Sequence, residues 1–90
     1  MPEPLPRTVI REHTFERNLA ALISDEREAD DFVEGAEFVL ARDPKAGSLL
    51  YANGSVWFLP MAPISGRQVS LYYTFDEHTV WLFAIKAIPI

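Results

Sequence analysis

Apolar and polar residues alternate along this chain with two periods, and the change of period divides it into a helical and a stranded half. In the first half Phe15, Leu19, Leu22 and Ile23 fall at i, i+4, i+7 and i+8, one face of a helix. Thr14 stands where an N-cap belongs. Ahead of it, residues Thr8 to His13 open with β-branched side chains between turn formers and predict a short first strand. Ser24-Asp25 interrupts the helical pattern, and Asp25 followed by Glu28 has the spacing of a capping box, with Asp in the Ser/Thr place. A second helix is predicted from there, with Phe32, Ala36, Val39 and Leu40 as its buried stripe and Asp30, Asp31, Glu34 and Glu37 as its wet side. Asp43-Pro44 ends it, because proline disfavours helical geometry at the residue before it.

From Leu49 onward the period shortens to two. Leu49-Leu50-Tyr51-Ala52 and Ser55-Val56-Trp57-Phe58-Leu59 flank Asn53-Gly54, which predicts a hairpin with a two-residue turn that fixes its register. Pro60, Pro63 and Gly66 predict a loop. Val69, Leu71, Tyr73 and Phe75 then alternate with Gln68, Ser70, Tyr72 and Thr74, a dry face against a wet one. After a turn at Asp76-Glu77-His78-Thr79, residues Val80 to Ile85 are apolar on both faces, as in a strand flanked on both sides or lying under helices. The order is β-α-α-β-β-β, an α+β class in which two N-terminal helices pack on a mainly antiparallel four-stranded sheet. Residues 1–6, with three prolines, predict a disordered or extended tail, and residues 7–90 a single domain.

Composition adds exclusions. There is no cysteine, and His13 and His78 are the only histidines, so neither a disulfide framework nor a zinc site is expected, and no metal or cofactor. No apolar run approaches the roughly 20 residues of a membrane span, and the proline-rich start lacks the basic and apolar regions of a signal peptide. A cytoplasmic protein without a membrane partner is the expectation. The formal charge of −5 is unevenly spread. Ten of the thirteen acidic residues lie between Glu12 and Asp43, whereas beyond Ala46 only Arg67, Lys86, Asp76 and Glu77 are charged, and they cancel. That balance argues against nucleic-acid binding by broad electrostatics. The acidic run reads either as the solvated face of a helix or as a surface for a partner.

No Gly-rich phosphate loop, His-Glu-x-x-His motif, nucleophile elbow or thiol is present. Among the scattered polar residues of the second half, four carry candidate chemistry. Arg67 follows Gly66 at a strand entry and can grip a phosphate or carboxylate bidentately, or simply be solvated. Lys86 near the last strand's end is a second cation, or a snorkelling lysine. Tyr72 on the wet face can stack on a base or a partner's side chain, or form an ordinary cross-strand pair. His78 can act as general acid or base, or be a plain turn residue. Trp57 and Trp81, in apolar runs, read as core.

The helix start Phe15-Glu-Arg-Asn-Leu19, the helix end Leu40-Ala-Arg-Asp-Pro-Lys-Ala-Gly47, and the strands Val69-Ser-Leu-Tyr-Tyr73 and Val80-Trp-Leu-Phe-Ala-Ile85 together resemble the RelE/ParE superfamily of bacterial toxins over about residues 8 to 88. The resemblance implies a toxin held inactive by a cognate antitoxin whose C-terminal segment adds a helix or strand to it. It also implies a target: the ribosome and its messenger RNA, which RelE-like members cut with basic and aromatic residues on the sheet, or DNA gyrase, which ParE-like members poison. It sets Arg67 near the place of the family's strand-borne arginine. Where many members carry an Arg, His or Tyr cluster at the final strand, this chain reads Phe83-Ala-Ile-Lys-Ala-Ile-Pro89. One Arg and one Lys are a thin set for stabilising a phosphorane and moving protons. The first expectation is therefore a toxin neutralised by its antitoxin, with weak or absent catalysis and an unknown target. The second is a ribosome-dependent endoribonuclease in which Arg67 and Lys86 hold the phosphate and Tyr72 or His78 stacks or protonates. The third is a small α+β interaction module that docks through its sheet.

Overall fold

A computed structural model describes residues 5–50 and 54–89. The chain runs β1 (Thr8–Arg11), α1 (His13–Leu22), α2 (Glu26–Arg42), a 3-10 turn at Pro44–Ala46, β2 (Ser48–Leu49), β3 (Trp57–Ile64), β4 (Arg67–Phe75) and β5 (Thr79–Pro89). The strands make one sheet in the order β1-β5-β4-β3-β2, with β1 parallel to β5 and every other pair antiparallel. The α+β class and the mainly antiparallel sheet agree with the sequence pattern. The strand count does not: there are five strands rather than four, because the two-residue β2 pairs with β3 as an edge strand of its own. The predicted tail over residues 1–6 falls largely on residues 1–4, outside the described residues.

Both helices lie on one face of the sheet, and the core fills the space between. Phe15, Leu19 and Ile23 of the α1 stripe are buried as the pattern predicts, against Val80, Leu82 and Ile85 of β5. Helix α1 starts two residues earlier than expected, and Glu12 rather than Thr14 occupies the cap. The Glu12 N–H donates to the Leu82 carbonyl while the Glu12 carbonyl accepts from Glu16, so the chain leaves the sheet and winds in one step. His13 is thereby helical, not the end of a strand.

Asp25 caps α2 as its spacing predicts, its Oδ1 accepting the Glu28 N–H at 2.8 Å. Asp25→Ala is expected to lower stability by about 1 kcal/mol, read as a shift in the urea midpoint without a change in slope. The buried stripe of α2 is rotated from the expected one. It runs Ala29, Val33, Ala36 and Leu40, whereas Phe32 is half-buried and Val39 is 43% exposed. Small side chains at 29 and 36 let the helix lie close to the sheet, and Arg11 of β1 fixes its rotation. The Arg11 guanidinium donates to Glu37 through two parallel bonds of 3.0 and 2.8 Å and to Asp30 at 2.7 Å. This planar fork turns the acidic side of α2 toward β1, and the hydrogen bonds that Glu37 and Asp30 accept from it push the guanidinium pKa further up.

The proline-rich stretch predicted as a loop is strand. β3 runs through Pro60 and Pro63 to Ile64, and it can do so because β2 covers only Trp57 and Phe58. Beyond Leu59 that side of β3 is an edge, where a missing N–H costs no ladder bond. The tight turn lies at Ser65-Gly66, both at positive φ, 49° and 73°, as a two-residue hairpin loop with matched twist requires. The Asn53-Gly54 turn fares differently. A two-residue loop there would set Leu49 opposite Phe58, but Leu49 pairs with Trp57 and Ser48 with Phe58, one residue out of that register. Asn53 itself, and residues Tyr51 and Ala52 of the predicted strand, lie outside the described residues.

β4 and β5 form the centre of the sheet. Their pairing slips at Phe83: Tyr73 faces Leu82 but Tyr72 faces Ala84, so Phe83 is the extra residue of a bulge. The slip is what lets Leu82 and Ile85 both reach the core. Where β4 meets the end of α2, the Tyr73 hydroxyl donates to the Pro44 carbonyl at 2.5 Å and accepts the Gly47 N–H at 3.2 Å. Trp57 and Phe75 close over this junction, their rings 5.4 Å apart.

Candidate functional site

The helices cover one face of the sheet and leave the other open. Alternation along β4 puts Val69, Leu71 and Tyr73 on the covered face, each fully buried, and hence Ser70, Tyr72 and Thr74 on the open one. Register extends the open face to both sides. Phe58 of β3 lies opposite Tyr72, with ring centroids 6.4 Å apart. Lys86 of β5 lies opposite Ser70, and its Nζ is 5.6 Å from the centre of the Tyr72 ring. Further along, Trp81 faces Thr74 on one side and Ile10 of β1 on the other, while Ile88, 62% exposed, faces Gln68. The result is a flat aromatic and aliphatic platform with hydroxyls between the rings and one ammonium, held against Tyr72 by a cation–π contact.

The four residues singled out from sequence are thus distributed over three places. Tyr72 and Lys86 are brought together. Arg67 is not with them, because it shares the parity of Val69 and Leu71 and so belongs to the helix side. There it lines a shallow hollow of about 200 Å³ with Asn18, Ala21 and Leu22 of α1 and Ile85 and Ala87 of β5. His78 lies past Phe75 at the other end of β4, an end that is itself about 27 Å along the strand from Arg67 at the usual rise per residue. Its side chain is 86% exposed, with Nε2 3.9 Å from Glu77. The turn that carries His78 is organised by Asp76, whose Oδ1 accepts the backbone N–H groups of His78 and Thr79, both at 2.8 Å. Those two donors hold the Asp76 carboxyl below its ordinary pKa.

Chemically, the open face can stack planar groups and bury apolar ones, and at Lys86 it can attract a single negative charge. No acidic residue of the described strands shares its register, so no carboxylate is placed to serve it as a base. Among the described residues, no group of three or more His, Cys, Asp or Glu side chains is placed to hold a metal ion. Besides Ile88, three members of the platform went unnoticed in the sequence. Trp81, read as core, lies on the open face because Val80 and Leu82 on either side of it are the buried pair. Ile10 joins it only through the parallel pairing of β1 with β5, and Phe58 only through the hairpin register. Strict alternation counted outward from Val80 and Leu82 would have found Trp81.

No family model matches the chain, and no curated protein matches it. Among solved structures, the chain is similar to a chain of the toxin–antitoxin complex RelBE2 from Mycobacterium tuberculosis, with 27% sequence identity and a TM-score of 0.69. The match covers 96% of this chain and 95% of that one. No described helix is long and apolar enough to cross a membrane.

Proposed function

We propose, from the premise that this chain has the RelE/ParE-superfamily fold, that it is the toxin of a bacterial toxin–antitoxin pair, neutralised by a cognate antitoxin and acting on its target by binding more than by catalysis. The observation that carries the reading is the near end-to-end likeness to a chain of a toxin–antitoxin complex, with almost nothing left over on either side. The open face supports the emphasis on binding. A nuclease must neutralise a pentacoordinate phosphate and both deliver and remove a proton. Here Lys86 is the one cation aligned with Tyr72, while Arg67 and His78 lie elsewhere. An aromatic platform with a lone cation is instead suited to a partner that presents apolar or planar groups. Among the family's targets, the ribosome with its messenger and DNA gyrase both present such groups.

The test is tightly controlled expression in bacteria, with growth followed for the wild type and for Tyr72→Ala, Trp81→Ser, Lys86→Ala and Arg67→Ala, and folding of each checked by circular dichroism. Growth arrest is expected from the wild type, from Lys86→Ala and from Arg67→Ala, and its loss from Tyr72→Ala and Trp81→Ser. Arrest abolished by Lys86→Ala together with cleaved messenger would establish an endoribonuclease instead. Unimpeded growth with abundant soluble wild type would leave an interaction module.

A further inference from the structure

Helix α2 carries, on the side turned away from the sheet, four residues that the core does not use. Asp31, Gly35, Phe38 and Arg42 are all exposed and fall at i, i+4, i+7 and i+11, one face of the helix. Phe38 is 59% exposed. Arg42 lies over it with the guanidinium carbon 3.7 Å from the ring centre, and one of its N–H groups bonds the Phe38 carbonyl. Gly35 is the unexplained member. A Cβ there would meet nothing within 4 Å, and its φ is not positive, so neither packing nor backbone geometry within one copy asks for glycine. A glycine inside a helix weakens folding about fivefold relative to alanine, a cost with no return in the isolated chain.

We infer that this face of α2 pairs with the same face of a second copy, antiparallel, about a two-fold axis between residues 36 and 37. That register is self-complementary. It sets Phe38 of each copy over Gly35 of the other, where the missing side chain leaves a notch for the ring. It also sets Arg42 of each copy against Asp31 of the other, at both ends of the contact. A two-fold interface repeats every favourable contact, so two rings are seated and two opposite-charge pairs close. Parallel pairing would instead bring Asp31 against Asp31 and Arg42 against Arg42. The contact is small, one helix of seventeen residues against another, and belongs with weak, reversible interfaces. It lies on the layer opposite the open sheet face, so it leaves Tyr72, Trp81 and Lys86 free and does not depend on the toxin reading.

Sedimentation equilibrium over a concentration series tests it. The wild type is expected to form dimers with a dissociation constant between about 10 and 500 μM. Asp31→Arg alone places Arg against Arg42, and Arg42→Asp alone places Asp against Asp31, so each variant is expected to associate with itself at least about tenfold more weakly. Mixed in equal amounts, the two variants regain both opposite-charge pairs, and their heterodimer is expected within about threefold of the wild-type constant. Gly35→Ala is expected to raise the thermal midpoint while weakening association, a split that a merely structural glycine does not produce. A wild type that stays monomeric to about 1 mM overturns the inference. So does a dimer that is indifferent to the charge variants, or a mixture that fails to recover.

Discussion

Gly47→Ala is expected to be far more damaging than the same change at Gly35, lowering stability by about 3 kcal/mol or more. The backbone of Gly47 is not the reason, since its φ of −81° suits any residue. The reason is space. A Cβ at 47 would overlap both the Phe58 carbonyl oxygen and the Tyr73 hydroxyl. Neither can yield cheaply: Phe58 is tied into the sheet opposite Ser48 and Tyr72, and the Tyr73 hydroxyl is held by Pro44 and Gly47 themselves. Urea unfolding of the purified variant measures the loss. Gly35→Ala is the matched control, the same methyl on open helix surface with the opposite sign expected.

Tyr73→Phe is expected to cost about 1 to 3 kcal/mol, because it keeps the ring but strands the Pro44 carbonyl and the Gly47 N–H beneath it. The variant also carries a pH signature. Burial pushes the Tyr73 phenol pKa up; the Gly47 N–H opposes this, and the charge of Asp43 adds to it. The folded state therefore holds the phenolic proton more tightly than the unfolded chain, whose tyrosines titrate near about 10. Stability from this group is present in full below that pH and is lost as pH rises through the higher folded value. The difference in unfolding free energy between wild type and Tyr73→Phe should accordingly be constant from pH 6 to 9 and shrink above about 10. A difference that widens in alkali would mean that the phenolate is the better-bound form.

The same junction explains a stretch of sequence that also carried the resemblance. In Leu40-Ala-Arg-Asp-Pro-Lys-Ala-Gly47, Asp43-Pro44 stops the helix, the Pro44 carbonyl takes the Tyr73 proton, and Gly47 lets the sheet close against it. Features that depend on one segment alone were legible from the chain. The α1 stripe, the Asp25 cap and the α2 stop all follow from residues a few positions apart. What the pattern missed depended on partners far along the chain. The rotation of α2 hinges on Arg11 reaching Asp30 and Glu37, and two alanines do not advertise a buried stripe. Pro60 and Pro63 signal a loop unless one knows that the neighbouring strand has already ended. The candidate site suffered in the same way. Alternation placed Tyr72 on the wet face but was not carried back to Arg67, which shares the parity of Val69, and the bulge at Phe83 hid which residues of β5 would stand beside either.

The parallel pairing of β1 with β5 has a consequence for synthesis. Thr8 precedes both helices in the chain, yet its partner is Thr79. Both helices are complete once Arg42 has been added, but the strand that completes the floor beneath them starts at Thr79. At ordinary translation rates of about 5 to 20 residues per second, that wait lasts about 2 to 7 s. During it the apolar stripe of α1 lacks β5, the strand it packs against, and Trp81 and Lys86 have yet to join Tyr72. The sheet therefore closes late in chain order: β1 waits beside the helices for a strand that lies beyond every other element, and the open face takes its final form only when the two meet.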